Sequence, residues 1–244
     1  MKRDDAVIAS DVDARVQRID AAALERDLDA QGWSVQRDLL TPAECDDTAG
    51  LYDQRAGFRS RVVMARHGFG RGEYRYFSYP LPALIQRMRT TLYPRLAPIA
   101  NQWHERMGLA ARFPAAHDAF IAQCAAAGQS RPTPLLLRYG PGDYNCLHQD
   151  LYGEQVFPLQ VAVLLSEPGA DFSGGEFVLT EQRPRMQTRA SVVPLTKGDA
   201  VVFAVNSRPV RGTRGDYRVK LRHGVSQVVE GHRHTLGIIF HDAS

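Results

Sequence analysis

From residue 132 onward the chain breaks into short segments rich in branched residues, and this constrains its fold more than any other feature. "TPLLLRY", "FPLQVAVLLSE", "GGEFVLTE", "ASVVPL", "DAVVFAV", "YRVKLRHGVSQVV" and "RHTLGIIFH" read as strands. "GPGDYN", "PGADFSGG", "TKGD" and "VEGH" punctuate them as turns. So many short strands bury both faces only in a closed barrel or a two-sheet sandwich.

The first half carries a different period. "VDARVQRIDAAALERDLDAQGW" spaces Val16, Ile19, Ala23, Leu24 and Leu28 as a helix does. Thr41, Pro42 and Glu44 open a further helix with a cap, a proline at its first position and a capping box. "LPALIQRMRTTLYPRLAPIANQWHERMG" is apolar-periodic, with Pro94 and Pro98 expected to kink or split it, and "PAAHDAFIAQCAAAG" ends a helix at Gly128. Residues 58–80 hold Gly68, Gly70 and Gly72 and no sustained period, so a long loop that can include a short hairpin is expected. The predicted class is α+β, a mainly helical region over 1–131 packed on one face of a strand-rich core over 132–244, as one compact unit.

No apolar run reaches the roughly 18–20 residues that span a bilayer, and "MKRDDAVIASDVDARV" has no signal-peptide pattern. Cys45, Cys124 and Cys146 are too few and too scattered for a disulfide framework or a zinc site, and the expected setting is the reducing cytoplasm. The net charge of +3 divides unevenly. Residues 1–57 hold 13 acids and 7 bases, a balance of −6, and the rest holds 14 acids and 23 bases, a balance of +9.

"YNCLHQDLY" places His148 and Asp150 two apart at a strand end, where period-two alternation turns both to one side. A 2-His-1-carboxylate iron site needs one more imidazole; the candidates are His223, His232, His234 and His241. His223 shares strand parity with Val219 and Leu221 and so points inward. In the last strand Arg233, Thr235 and Gly237 share one face, while His232, His234, Leu236, Ile238 and Phe240 share the other, which suits packing under helices. Arg233 then points into the core. A buried guanidinium needs an anion, and a carboxylate ligand is the simplest one.

Together these marks resemble the Fe(II)/2-oxoglutarate-dependent dioxygenase superfamily. They are "RYGPGDYNCLHQD", "SGGEFVL", "KGDAVVF", and a His followed by "GHRHTL" with an arginine ten residues after it. The resemblance spans about residues 132–243. It implies a double-stranded β-helix (jelly-roll) core, with Fe(II) bound by His148, Asp150 and His223. It also implies that Arg233 holds the distal carboxylate of the cosubstrate 2-oxoglutarate, that Tyr139 hydrogen-bonds it, and that O₂ is consumed. The implied reaction is hydroxylation of a C–H bond with release of succinate and CO₂.

Two substrate classes stay open. The strand-to-HQD run is similar to that of the AlkB-like demethylases, and the whole chain resembles bacterial oxygenases suggested to act on nucleic acids. Arg66, Arg71, Tyr74, Arg75 and Tyr76 would then meet a single-stranded or damaged strand. Residues 208–222 would add bases: Arg208, Arg211, Arg214, Arg218, Lys220 and Arg222. Leu137 and Ile239 stand where those demethylases carry Asn and a second Arg, and the ten-residue spacing from His223 to Arg233 is more like the prolyl-hydroxylase branch. That branch would make a protein, a peptide or a free amino acid the substrate. A non-catalytic, cupin-like binding protein is the alternative from another class, and it has no use for an inward Arg233.

Overall fold

A computed structural model describes residues 5–54 and 56–244. Among the described residues five α-helices are present: α1 (Asp5–Gln17), α2 (Ala21–Gln31), α3 (Pro42–Gly50), α4 (Ala83–Arg106) and α5 (His117–Ala126). The strands before α4 are β1 (Trp33–Gln36), β2 (Phe58–Val63), β3 (Gly70–Arg71) and β4 (Glu73–Phe77). After α5 come β5 (Leu135–Tyr139), β6 (Tyr144–His148), β7 (Leu159–Leu164), β8 (Phe172–Gly174), β9 (Phe177–Gln182) and β10 (Arg189–Val193). The last are β11 (Ala200–Ala204), β12 (Ser207–Gly212), β13 (Gly215–Val225), β14 (Val228–Gly231) and β15 (Arg233–Ile238).

Two antiparallel sheets face each other, ordered β1-β11-β7-β15-β5-β4-β2 and β10-β9-β13-β6-β3, with β12 beside β13. A small β14-β8 pair closes one end. This is the double-stranded β-helix arrangement, and the helices cover the outer face of the larger sheet. Leu136, Val161, Val163, Val202, Leu236 and Ile238 pack there against Leu28, Leu92, Leu96 and Trp103. The alternate residues of the same strands point between the sheets, and that division creates the cavity.

The helical reading holds in its main lines, with two differences. The first helical segment is two helices, because Asp20 accepts from the backbone N–H groups of Ala22 and Ala23 and starts α2. Pro94 and Pro98 do not split α4, which runs through both. Each proline costs about 3 kcal/mol, but Ile85, Met88, Leu92, Leu96, Ile99 and Trp103 are all buried on this helix. At about 1.5–3 kcal/mol each, that burial outweighs the lost backbone bonds. The capping box is formed as expected: Thr41 Oγ1 accepts from Glu44 N–H at 3.3 Å, and Glu44 accepts from Thr41 N–H at 2.7 Å.

Residues 58–80 depart most from expectation. They are not a long loop: β2 and β4 form a hairpin that extends the larger sheet through β5, and β3 joins the smaller sheet beside β6. The segment thus straps the two sheets together at one end. Gly70 and Gly72 make this possible. Both have positive φ, and a Cβ on Gly70 would lie 2.4 Å from Tyr144 O, while one on Gly72 would lie 2.9 Å from the Tyr139 ring.

Candidate metal and cosubstrate site

His148 ends β6, and its Cα partner in the adjacent strand β13 is His223. Asp150 follows two residues later and is 7% exposed. His148 Nε2 lies 3.4 Å from Asp150 Oδ1, and His223 Nε2 lies 3.4 Å from Asp150 Oδ2. Potential donor atoms of the three residues all fall within 4.8 Å of one another. His148 Nδ1 sits 2.8 Å from Cys146 O, so the backbone occupies one ring nitrogen and leaves Nε2 for the shared centre. Burial opposes charge on Asp150, yet hydrogen bonding to the two imidazoles holds its carboxyl well below the usual range. It is therefore an anion at neutral pH, as a ligand must be. Two neutral-capable imidazoles and one carboxylate, clustered on the cavity wall, fit Fe(II).

Tyr152 completes the surroundings. Its hydroxyl donates to Asp150 Oδ1 at 2.8 Å, and its ring meets Tyr76 edge-on. Nothing in the sequence pattern singled it out, although it stands at the parity of His148 and Asp150.

Arg233 opens β15 and pairs in register with Tyr139 of β5. It is 1% exposed. Its Nη1 donates to Thr235 Oγ1, and its Nε is buried without a partner among the described residues. The rings of Tyr139 and Phe172 lie 5.7 and 5.8 Å from its guanidinium carbon. Burial lowers its pKa to about 10. No carboxylate of the described residues forms an ion pair with it, so this buried cation has room and need for an external anion. The fit to the distal carboxylate of 2-oxoglutarate rests on that orphaned donor. Tyr139 is fully buried, burial keeps its phenol protonated, and its oxygen accepts from Asn145 Nδ2 at 3.4 Å.

The three candidate ligands, Tyr152, Arg233 and Tyr139 line one cavity of about 380 Å³ between the sheets. Gly68, Phe69 and Leu147 stand at its mouth, where Phe69 and Leu147 are nearly half exposed. Phe69 stacks with His67 at a ring separation of 5.3 Å. Arg66 and Arg71 flank them, both exposed and neither in an ion pair among the described residues. Cys146 is exposed and borders this cavity.

The aromatic and basic candidates separate by strand parity. Tyr74 lines the cavity, and Tyr76 is buried behind it under the Arg59 guanidinium, 4.5 Å from the ring centroid. Arg75 turns to the opposite face, donates to Gln54 O at 2.9 Å and stacks over Tyr52, so it is not at the cavity. Arg61 and Arg138 share Glu73. Arg208 is not part of a basic surface either: it is 1% exposed, bonds Glu181 at 2.5 Å and reaches the carbonyl of Asp29. Arg211, Arg214, Arg218, Lys220 and Arg222 remain exposed.

The sequence model of the Oxygenase-NA family, described as an oxygenase catalysing oxidative methylation of damaged DNA, matches residues 72–243. Two uncharacterized proteins from strains of Mycobacterium tuberculosis are each 49% identical over 168 residues, covering 69% of this chain and 72% of theirs. Among solved structures, a Trichoplax adhaerens prolyl hydroxylase in complex with a hypoxia-inducible-factor peptide superposes with a TM-score of 0.60 at 13% identity. It covers 96% of this chain and 93% of its own. A Burkholderia pseudomallei oxidoreductase of the 2OG-Fe(II) oxygenase family gives a TM-score of 0.55 at 14% identity, covering 93% and 94%. A Pseudomonas putida prolyl-4-hydroxylase gives 0.51 at 16%, covering 89% and 96%. At such identities these likenesses concern the fold. Among the described residues no helix is long and apolar enough to cross a membrane.

Proposed function

The chain belongs to the Oxygenase-NA family and is an oxidoreductase of the Fe(II)/2-oxoglutarate oxygenase class; from that premise we propose that it oxidises a C–H bond on a base of single-stranded or damaged nucleic acid. The observation that carries this reading is the cavity mouth. An exposed Phe69–His67 stack offers a flat surface to an unpaired base, and Arg66 and Arg71 beside it are free to meet phosphates.

In this reading His148, Asp150 and His223 hold Fe(II), Arg233 holds the distal carboxylate of 2-oxoglutarate, and Tyr139 donates a hydrogen bond to the same cosubstrate. When bound, Fe(II) with 2-oxoglutarate and O₂ supplies the oxidising equivalent for C–H hydroxylation, with succinate and CO₂ released. The chain's own work is to place and shield. Asp150 is kept anionic by its neighbours and oriented by the Tyr152 hydroxyl. Arg233 meets an anion in a site dry enough to make the pairing strong. Phe177, Phe203 and Leu135 keep water from the reacting carbon.

Succinate formation tests the reading. Fe(II)-loaded protein is given 2-oxoglutarate and air with a methylated single-stranded oligonucleotide in one vessel and a proline-containing peptide and amino-acid pool in the other. Stimulation by the oligonucleotide supports base oxidation. Stimulation by the pool alone overturns it in favour of a prolyl-type hydroxylase.

A further inference from the structure

The inner face of β7 turns Gln160 and Ala162 into the cavity, while Val161 and Val163 pack under the helices. Gln160 is 5% exposed, and its Oε1 is buried with no hydrogen-bond partner among the described residues. The wall around it is apolar: Phe203 is its register partner on β11, and Ala162, Leu135 and Gly237 line the same chamber. The Phe203 ring lies 4.6 Å from the His223 ring, which puts the amide's strand pair next to the triad. A carboxamide in such a wall carries an unmet hydrogen-bonding capacity beside the reacting centre.

We propose that Gln160 is a specificity-determining residue whose amide hydrogen-bonds the edge of a nucleobase drawn into the chamber. The inference rests on the nucleic-acid reading above and sharpens it. A carboxamide sets an acceptor and a donor side by side, so the group it suits carries a donor and an acceptor side by side. The N6–N7 edge of adenine is such a group, and Gln pairs with it in two bonds. Methylation at a ring nitrogen of the pairing edge leaves that N6–N7 edge in place. A saturated prolyl ring offers neither donor nor acceptor and would leave the amide stranded, which is how a built polar site rejects an analogue.

The test measures binding. Mn(II)-loaded protein with 2-oxoglutarate, held without oxygen, is titrated with two labelled single-stranded oligonucleotides. One carries an adenine methylated on its pairing edge, and the other an abasic site at that position. Wild type is expected to bind the base-bearing strand about tenfold tighter than the abasic one. Gln160→Leu is expected to erase that difference, leaving abasic-strand and 2-oxoglutarate affinities within about twofold. Gln160→Met, closer in shape, is measured alongside so that a folding defect in the leucine variant decides nothing. Persistence of the base-dependent difference in a folded variant overturns the role of Gln160 and leaves the nucleic-acid reading intact. Failure of wild type to prefer the base-bearing strand overturns both.

Discussion

His148 and His223 stand opposite each other in the pairing of β6 and β13, with ring centroids 4.2 Å apart and the Asp150 carboxylate between their Nε2 atoms. A backbone register therefore sets the distance between the two imidazoles. His148→Ala is expected to abolish succinate formation and to weaken Mn(II) binding by more than about a hundredfold, since even loss of an outer partner costs about 10–100-fold. Titration calorimetry with Mn(II) checks it; unchanged affinity would place the metal elsewhere.

Removing Arg233 separates binding from stability. Arg233→Met is expected to raise the 2-oxoglutarate requirement by about 10–100-fold, the worth of a charged hydrogen-bonding partner, with a smaller change in turnover. Without cosubstrate the variant should melt no lower than wild type, because a buried cation with no protein anion is replaced by an apolar side chain. Thermal melts with and without 2-oxoglutarate read both effects. A large loss of stability in its absence would mean that Arg233 has a structural partner.

Tyr152→Phe keeps the ring against Tyr76 and removes only the donor to Asp150. About a tenfold loss of metal affinity is expected, with the fold unchanged by circular dichroism. An unaltered isotherm would show that the two imidazoles orient the carboxylate on their own.

Charge at the mouth is tested by salt dependence. Replacing Arg66 and Arg71 together by Gln is expected to lower oligonucleotide affinity and to reduce the slope of log K against log salt by up to about 1.4, for two contacts to a single strand. Replacing Arg75, which lies over Tyr52, should leave that slope unchanged. Equal effects from both would mean that the charge acts only at long range.

Two buried imidazoles make the fold sensitive to acid. Burial, helped by the neighbouring Arg89 charge, lowers the pKa of His117 to about 4, and the same two causes lower that of His241 to about 4. Their ordinary value is about 6.5, so the unfolded chain binds protons that the folded chain refuses. Stability from this source is complete above pH 6.5 and falls as pH drops toward 4, by up to about 3 kcal/mol for each residue. Urea midpoints measured from pH 7 to pH 4.5 should decline. His117→Gln, which keeps a donor for Phe240 O, should flatten the decline.

Much of the site lay in local patterns. The two-residue spacing of His148 and Asp150, and the parity that turns Arg233, Thr235 and Gly237 inward, are properties of a single strand and are readable without the fold. Pairing across the chain is not. Arg208 looks like one more surface base until Glu181 is brought beside it from a strand 27 residues earlier. The strands of residues 58–77 were hidden because their outward positions hold Arg61, Glu73 and Arg75. These are satisfied by one another, by Arg138 and by the Tyr52 ring, so charge replaces the usual apolar alternation. Tyr152 and Gln160 acquire meaning only from what faces them in space.

The strap between the sheets has a consequence for how the reaction is kept under control. Phe69 accepts from Cys146 N–H at 2.9 Å and donates to Met64 O at 3.2 Å, and Gly70 pairs with Asn145, so the rim of the cavity is tied to β6 on one side and to the turn at Met64 on the other. A rim tied down in this way has a fixed bore. In the reading proposed above, the base that enters would itself be the stopper that shuts out solvent. On the proposed reaction, fidelity would then depend on fit: a guest that fills the bore would be oxidised in step with cosubstrate use, and one that rattles in it would let cosubstrate burn without product.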